Sequence, residues 1–337
     1  MPTHTVNRPK RAIFAGLVRD CAEWLPSVLA NVEQMAHAFE QCAFLFLENG
    51  STDGSRELLN RWCSGRDGAI VLTPDDPAAF CVVRTVRLAV IRNQIIAEAR
   101  RHYADFDVLV LLDCDNVNAS PISQAAFIRA LDFLWHEPDR AAVFANSLGH
   151  YYDLWALRHA LYCPLDVWEE TMDYSISRRV SPEAAFKAVF APRTFALPLD
   201  APPLEVDSAF GGMGIYRLSC VLANKASYDG YKLRDVETAF GRKRMGWQTC
   251  EHVSFNIGLR KDGGRLFVLP WLSIYEFREV TVVMNWEFAL FDPLELAMFS
   301  DPALVPAPQN AVIGRNERCF CGSGERYKHC QGAMATS

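Results

Sequence analysis

Short apolar runs punctuate the first half of the chain, at residues 12–18 (AIFAGLV), 43–47 (AFLFL), 69–72 (AIVL), 107–112 (DVLVLL) and 141–145. They are continuous rather than alternating, the pattern of strands covered on both faces. Between them lie stretches of helical periodicity, at 22–39 (with Pro26 in its first turns), 56–62, 86–102 and 122–135. Strands alternating with helices predict an α/β class: a Rossmann-like, mainly parallel sheet with helices on both faces. Residues 206–217 (VDSAFGGMGIYR) and 266–272 read as further strand material. The middle, 146–205, is less regular, with aromatic clusters (Tyr151, Tyr152, Trp155, Trp168) and the Pro-rich stretch APRTFALPLDAPP. It reads as loops and helices facing a substrate. There is no internal repeat.

In open α/β sheets ligands bind beyond the carboxyl ends of the strands. Two polar motifs fall at such ends: Glu48-Asn49-Gly50-Ser51-Thr52-Asp53 and Asp113-Cys114-Asp115-Asn116. In the first, glycine and small hydroxyl residues let backbone approach a ligand, while Ser51 or Asp53 also suits a cap for the following helix. The second ends an apolar strand in two carboxylates. Side chains two positions apart on a strand share a face. Hard oxygen ligands suit Mg²⁺ or Mn²⁺, with phosphate oxygens completing the shell. The plainer alternative is a solvated turn capping a helix.

The composition narrows the classes. Across 337 residues, 50% are hydrophobic, enough for a sizeable core, and the net charge is −6. No long basic tract points to nucleic acid; Arg242-Lys243-Arg244 reads as a solvated loop. The polar N-terminus lacks the apolar core of a secretory signal, and no apolar stretch is long enough for a membrane span. The eleven cysteines mostly sit singly in apolar segments, as at Cys42, Cys81 and Cys220. That fits reduced thiols and a cytoplasmic setting rather than a disulfide framework.

The chain resembles the nucleotide-sugar-dependent glycosyltransferases of the GT-A fold. The resemblance rests on the strand–ENGSTDGS loop, the later Asp-x-Asp, Arg92-Asn93 on the preceding helix and TCEHVSFNIGLRKDGG further on. It implies that Glu48 and Asp53 touch the nucleoside, with Asn49 standing where an acid is common. Glu251 matches the family's late Glu, and His252 stands where an Asp base is usual. A closer resemblance is to the fungal capsule-associated α-1,3-mannosyltransferases, carried by FLENGSTDGSRELL, RTVRLAVIRNQII, YYDLWALRH, VDSAFGGMGIYR and CEHVSFNIGLR. These stretches span roughly residues 44–260 in matching order. The resemblance implies a metal-dependent hexosyltransferase that retains configuration, with GDP-mannose as the favoured donor. The acceptor stays open among glycan, lipid-linked, protein and small-molecule classes.

On this reading Asp113 and Asp115 hold the cation and, with it, the donor diphosphate. The second catalytic carboxylate is Glu251 first, then Asp207, then Asp153. His252 is a third metal ligand, an acid/base or a structural histidine. Gly211 and Gly212, with Gly214, let backbone approach the sugar or serve close packing. Arg84, Arg87 and Arg92 share a helical face that suits the donor's phosphates, with Arg84 and Arg87 otherwise solvated. Tyr151, Tyr152 and Trp155 stack on sugar or fill the core.

Residues 314–332 (GRNERCFCGSGERYKHCQG) look like the SEC-C zinc motif, also found at the end of the bacterial preprotein-translocase motor. Cys319, Cys321 and Cys330 match its cysteines; Gln331 occupies the usual fourth position, and His329 is the candidate substitute. The expected organisation is a GT-A domain over 1–300, a Pro/Asn-rich linker over 301–312 and a zinc-binding module over 313–333 that docks a protein partner. Two rivals accompany this reading. A sugar-phosphate nucleotidylyltransferase would need a Gly-rich basic loop after the first strand, where this chain has GLVRDCAEW. A non-catalytic nucleotide-sugar-binding adaptor would not need the two acids and Glu251.

Overall fold

The computed structural model describes residues 8–81, 83–238, 241–277 and 290–291. In chain order the elements are β1 (Arg11–Val18), α1 (Leu25–Ala36), β2 (Gln41–Glu48), α2 (Ser55–Cys63), β3 (Ala69–Leu72), α3 (Arg84–His102), β4 (Val108–Asp113), α4 (Gln124–His136) and β5 (Arg140–Gly149). There follow α5 (Val167–Arg178), α6 (Pro182–Ala185), β6 (Leu204–Val206), β7 (Met213–Arg217), α7 (Leu218–Ala223), β8 (Tyr231–Thr238), β9 (Gly241–Gln248), α8 (Glu251–Lys261), β10 (Arg265–Phe277) and β11 (Leu290–Phe291). The linker and the SEC-C-like module lie outside the described residues.

One eight-stranded sheet runs in the order β3-β2-β1-β4-β7-β5-β10-β6. Pairings β1–β2, β1–β4, β2–β3 and β5–β10 are parallel. Strand β7 is antiparallel to both β4 and β5, and β6 is antiparallel to β10. The expected α/β sheet with helices on both faces is thus present, mixed at one half.

Alternation along each strand divides the core in two. Ile13, Ala15, Leu45, Leu47, Leu109 and Leu111 face the cluster covered by α3, α7 and α8. Their neighbours Ala12, Phe14, Phe44, Phe46, Val110 and Leu112 face α1, α2 and α4. Because both faces are buried, the strands read as continuous apolar runs. Fully burying a side chain such as Phe14 contributes about 2 kcal/mol.

Two expectations change. Residues 206–217 are not one strand: β6 ends at Val206 and β7 begins at Met213. Between them Gly211 and Gly212 adopt φ of 64° and 84°, backbone that favours glycine. Arg242-Lys243-Arg244 is not a loop but the first turn-proximal part of β9, paired with β8 and exposed. Both strands of that hairpin are rich in charge, so the alternation that marks a strand with one buried face is weak there.

Candidate functional site

Strand β4 stays apolar from Val108 to Leu112 and then presents Asp113 beside Leu17 near the end of β1. The backbone N–H of Asp113 donates to the carbonyl of Gly212 at 2.9 Å, which ties the amino end of β7 to this edge. Next, Asp115 turns the chain: its Oδ1 accepts the N–H of Val117 at 3.1 Å and caps a short 3₁₀ turn over Asn116–Asn118. Asn118 locks the turn, its side-chain amide donating to the carbonyls of Asp113 and Gly212, each at 2.8 Å. The cap and the ligand readings of this motif therefore coexist.

A cleft of about 420 Å³ opens at these strand ends. Its walls include Arg19 after β1, Asn49 after β2, Asp113 and Asp115 after β4, and Glu251 and His252 opening α8. Helix α3 contributes Arg84, Arg87, Leu88, Ile91 and Arg92, spacings that place them on one helical face. Tyr152, Asp153, Trp155 and Phe210 complete one side.

Arg92 organises the centre. It is 3% exposed, and donates through Nε to Glu251 Oε1 at 3.0 Å and through Nη2 to Asp113 Oδ1 at 3.1 Å. Its guanidinium also lies 4.9 Å from the Phe210 ring centroid. Burial alone would lower its pKa, but Glu251 and Asp113 outweigh it and the group stays charged. At Asp113 burial wins. The carboxyl is pushed up to about 7 by enclosure, against the pull of Arg92, with Asp115 adding to the rise.

His252 stacks on Phe210, with ring centroids 3.8 Å apart, and Tyr228 meets it edge-on. Neither ring nitrogen has a hydrogen-bond partner, although Nε2 lies 3.6 Å from Glu251 Oε1. Burial, then Arg92 and Arg84, depress its pKa well below the usual histidine value, so the ring is neutral. Asp153 accepts the N–H groups of Gly211 at 2.9 Å and Ala156 at 3.2 Å. Burial nevertheless raises its pKa.

Other predicted residues lie elsewhere. Glu48 is fully buried but does not line the cleft: it accepts the Ser51 N–H at 2.5 Å and pairs with Arg56. Asp53 fastens two loops, accepting the N–H groups of Ala22 and Ser55 and the Ser55 hydroxyl at 2.8, 3.0 and 2.6 Å. Asn49 does line the cleft. Its amide donates to the Ala79 carbonyl at 3.1 Å, and its buried Oδ1 has no partner. Asp207 is not among the cleft residues; its carboxylate is bound by Arg260 Nε at 3.1 Å on an exposed surface. A Cβ on Gly211 would collide with the Ala145 carbonyl oxygen, and one on Gly212 with Val117, so both glycines serve close packing. Tyr151 is buried against Phe195, whereas Tyr152 and Trp155 reach the cleft. Ranked third by sequence, Asp153 lines the cleft within electrostatic reach of Glu251 and Arg92, and Asp207 does not line it.

Among the described residues, no three His, Cys, Asp or Glu side chains cluster as a metal site, so His252 is not gathered with Asp113 and Asp115 into a ligand set. The available donors are the two carboxylates. That set fits Mg²⁺ or Mn²⁺ completed by substrate phosphate oxygens, the usual arrangement for Mg²⁺ in phosphate-binding sites, rather than a cation held by protein alone. No described helix is long and apolar enough to cross a membrane.

Comparison with known proteins adds the following. The SEC-C motif model matches residues 315–330, which contain Cys319, Cys321, His329 and Cys330. The protein translocase subunit SecA of Verminephrobacter eiseniae is 48% identical over 42 residues, 12% of this chain and 5% of that protein. SecA of Aromatoleum aromaticum is 42% identical over 53 residues, 15% of this chain and 6% of that protein. The chain thus spans only about a twentieth of these relatives. Among solved structures, the mannosyltransferase PcManGT from Pyrobaculum calidifontis, in complex with GDP-Man and Mn²⁺, is similar with a TM-score of 0.42 and 13% identity over 87% of this chain and 62% of that one. S. aureus TarS gives 0.42 and 11%, over 80% and 60% of the two chains. Glucosyl-3-phosphoglycerate synthase from Mycobacterium tuberculosis, in complex with UDP, gives 0.37 and 14%, over 87% and 76%.

Proposed function

We propose that the protein is a nucleotide-sugar-dependent glycosyltransferase of GT-A type, and that its donor binds in the cleft at the carboxyl ends of β1, β2 and β4. The observation that carries this reading is the Arg92 bridge. A buried arginine joins Asp113, from the Asp-x-Asp turn, to Glu251, from the late Glu motif, although 138 positions separate those motifs in sequence. The resemblance of both motifs to one family, and their meeting in one cleft, support each other. Mannose, GDP as the nucleotide and retention of configuration follow from the resemblance to the fungal capsule-associated enzymes.

Asp113 and Asp115 would hold a Mn²⁺ or Mg²⁺ ion, which when bound neutralises the charge of a departing diphosphate. The other roles belong to the chain. Arg92 fixes the Glu251 carboxylate in the cleft, where its charge stabilises positive character developing on the sugar. Asp153, its carboxyl raised by burial, is suited to accept the acceptor hydroxyl's proton. His252, neutral and stacked on Phe210, shapes the wall and keeps water from Glu251. Tyr152 and Trp155 offer ring faces to the sugar. The C-terminal segment would bind zinc through Cys319, Cys321, Cys330 and His329 and dock a protein partner, without a part in the chemistry.

The test is a panel of nucleotide sugars incubated with the protein and Mn²⁺, with release of nucleoside diphosphate as the readout. One donor should be consumed, and Glu251→Gln should cut the rate by roughly 100-fold or more. Consumption of none in the presence of varied acceptors, or an unaffected Glu251→Gln, would refute the reading.

A further inference from the structure

The cleft carries charges of both signs. Its carboxylates are already engaged: Asp113 and Glu251 by Arg92, Asp153 by two backbone N–H groups, and Asp115 in part by the N–H of Val117. The cleft is also lined by Arg19, Arg84 and Arg87. Arg84 and Arg87 occupy the first turn of α3, which holds no acidic residue, and Val83 at its start makes no side-chain cap. Cations at a helix N-terminus oppose the helix dipole, so this placement is unfavourable on its own. Among the described residues Arg19 reaches a carboxylate at 3.8 Å, on Asp20, and Asp20 also receives the N–H and hydroxyl of Thr52. Arg87 Nη1 donates to the Cys81 carbonyl at 2.7 Å, which holds the side chain along the cleft wall. The outcome shows in its acidity: burial, then Arg19 and Arg84, pull the Arg87 guanidinium down to about 10. The fold thus holds like charges together at the positive end of a helix, a conflict that a polyanion would relieve.

We propose that Arg19, Arg84 and Arg87 form an anion subsite that takes the diphosphate of the nucleotide donor directly, so that nucleotide binding does not depend on a divalent cation. The proposal rests on the nucleotide-sugar reading and gives the cleft a division of labour. The arginines and the N-terminus of α3 hold the diphosphate through charge-assisted hydrogen bonds. Asp113 and Asp115, with their cation, matter for departure of the diphosphate more than for its capture.

The experiment is calorimetric titration of GDP, UDP and inorganic pyrophosphate into the full chain, in Mn²⁺ and separately in EDTA. Wild type is compared with Arg84→Gln, Arg87→Gln and the double variant, each checked for folding by its melting temperature. Arg84 is exposed, so its single variant keeps the test interpretable if Arg87→Gln fails to fold. Nucleotide binding in EDTA should stay within roughly tenfold of that in Mn²⁺, and each arginine removed should weaken it by roughly 10- to 100-fold. Binding that appears only with Mn²⁺, or a folded Arg84→Gln that binds as wild type does, overturns the subsite and leaves the glycosyltransferase reading standing. If no nucleotide binds under either condition, the functional reading fails instead. Pyrophosphate then decides for the subsite: binding lost in the variants supports an anion site, and no binding rejects it.

Discussion

Two arginine–carboxylate networks in this molecule use the same chemistry to different ends. In the cleft, Arg92 joins Glu251 and Asp113 where the arginine is 3% exposed. At the edge strand β6, Arg260 and Arg265 bind Glu205, and Arg260 also binds Asp207, with these carboxylates 38% and 53% exposed. The acidities move in opposite directions. Hydrogen bonds from Arg265, opposed by slight burial and aided by Arg260, lower the Glu205 pKa. Enclosure raises that of Asp113 to about 7 despite its arginine. A surface pair gains little because water already serves each charge. A buried network costs desolvation, and the fold retains one where a charged group has a task. Location, not the list of partners, separates a candidate site from surface dressing.

Substitutions test that contrast most severely at its centre. Arg92→Met should destabilise the protein by about 3–5 kcal/mol in chemical denaturation, because Glu251 and Asp113 lose their shared partner inside the protein. Donor turnover should vanish with it. A loss below about 1 kcal/mol would place this network in the same class as the surface one. Asp115→Asn should cut turnover by roughly 100-fold while leaving the melting temperature nearly unchanged, since the amide oxygen can still accept the Val117 N–H.

A pH series reads the opposite acidities. Asp113 holds its proton in the fold up to about 7, whereas the unfolded chain releases it near 3.8. Between those values the unfolded state binds fewer protons, so this group's contribution makes stability fall as pH rises, and level off above 7. Asp113→Asn should remove about 1–2 kcal/mol of that decline, allowing for the 31% exposure of its side chain. An unchanged slope between pH 4 and 7 would show that enclosure does not govern this carboxyl. The smallest effect belongs to the surface network: Asp207→Asn should shift stability by about 0.5 kcal/mol or less and leave turnover within twofold. A large loss of turnover would return Asp207 to the catalytic group.

Much of this was readable in the sequence, for a physical reason. Strands β1 to β5 and helices α1 to α4 announce themselves because each is a continuous apolar run or a periodic stripe bounded by polar turns. The polar turn after β4 was legible because the apolar run stops abruptly at Asp113-Cys114-Asp115-Asn116. The place of β7 was not: hydrophobicity marks a strand but not its neighbours, and nothing local says that Met213–Arg217 inserts antiparallel between β4 and β5. For the same reason the ranking of Asp207 over Asp153 went astray in space. Asp207 lies beside a glycine-rich motif, yet Phe210 of that stretch lines the cleft while the Asp207 carboxylate is bound by Arg260 on the surface. Glu48 and Asp53 carry the motif of a nucleoside loop, but their carboxylates close that loop on Arg56, Ser51, Ala22 and Ser55. Only Asn49 of the three reaches the cleft. Sequence found the helical face of Arg84, Arg87 and Arg92, but not that Arg92 would be sealed between two acids while the others stay outside.

The most direct measurement is release of nucleoside diphosphate from GDP-, UDP- and CDP-linked sugars, with Mn²⁺ and a panel of acceptors present, by wild type, Asp115→Asn and Asp207→Asn. Wild type and Asp207→Asn should consume one donor at rates within about twofold of each other, and Asp115→Asn should be roughly 100-fold slower. No turnover by folded wild type, or turnover lost in Asp207→Asn and kept in Asp115→Asn, would contradict the reading.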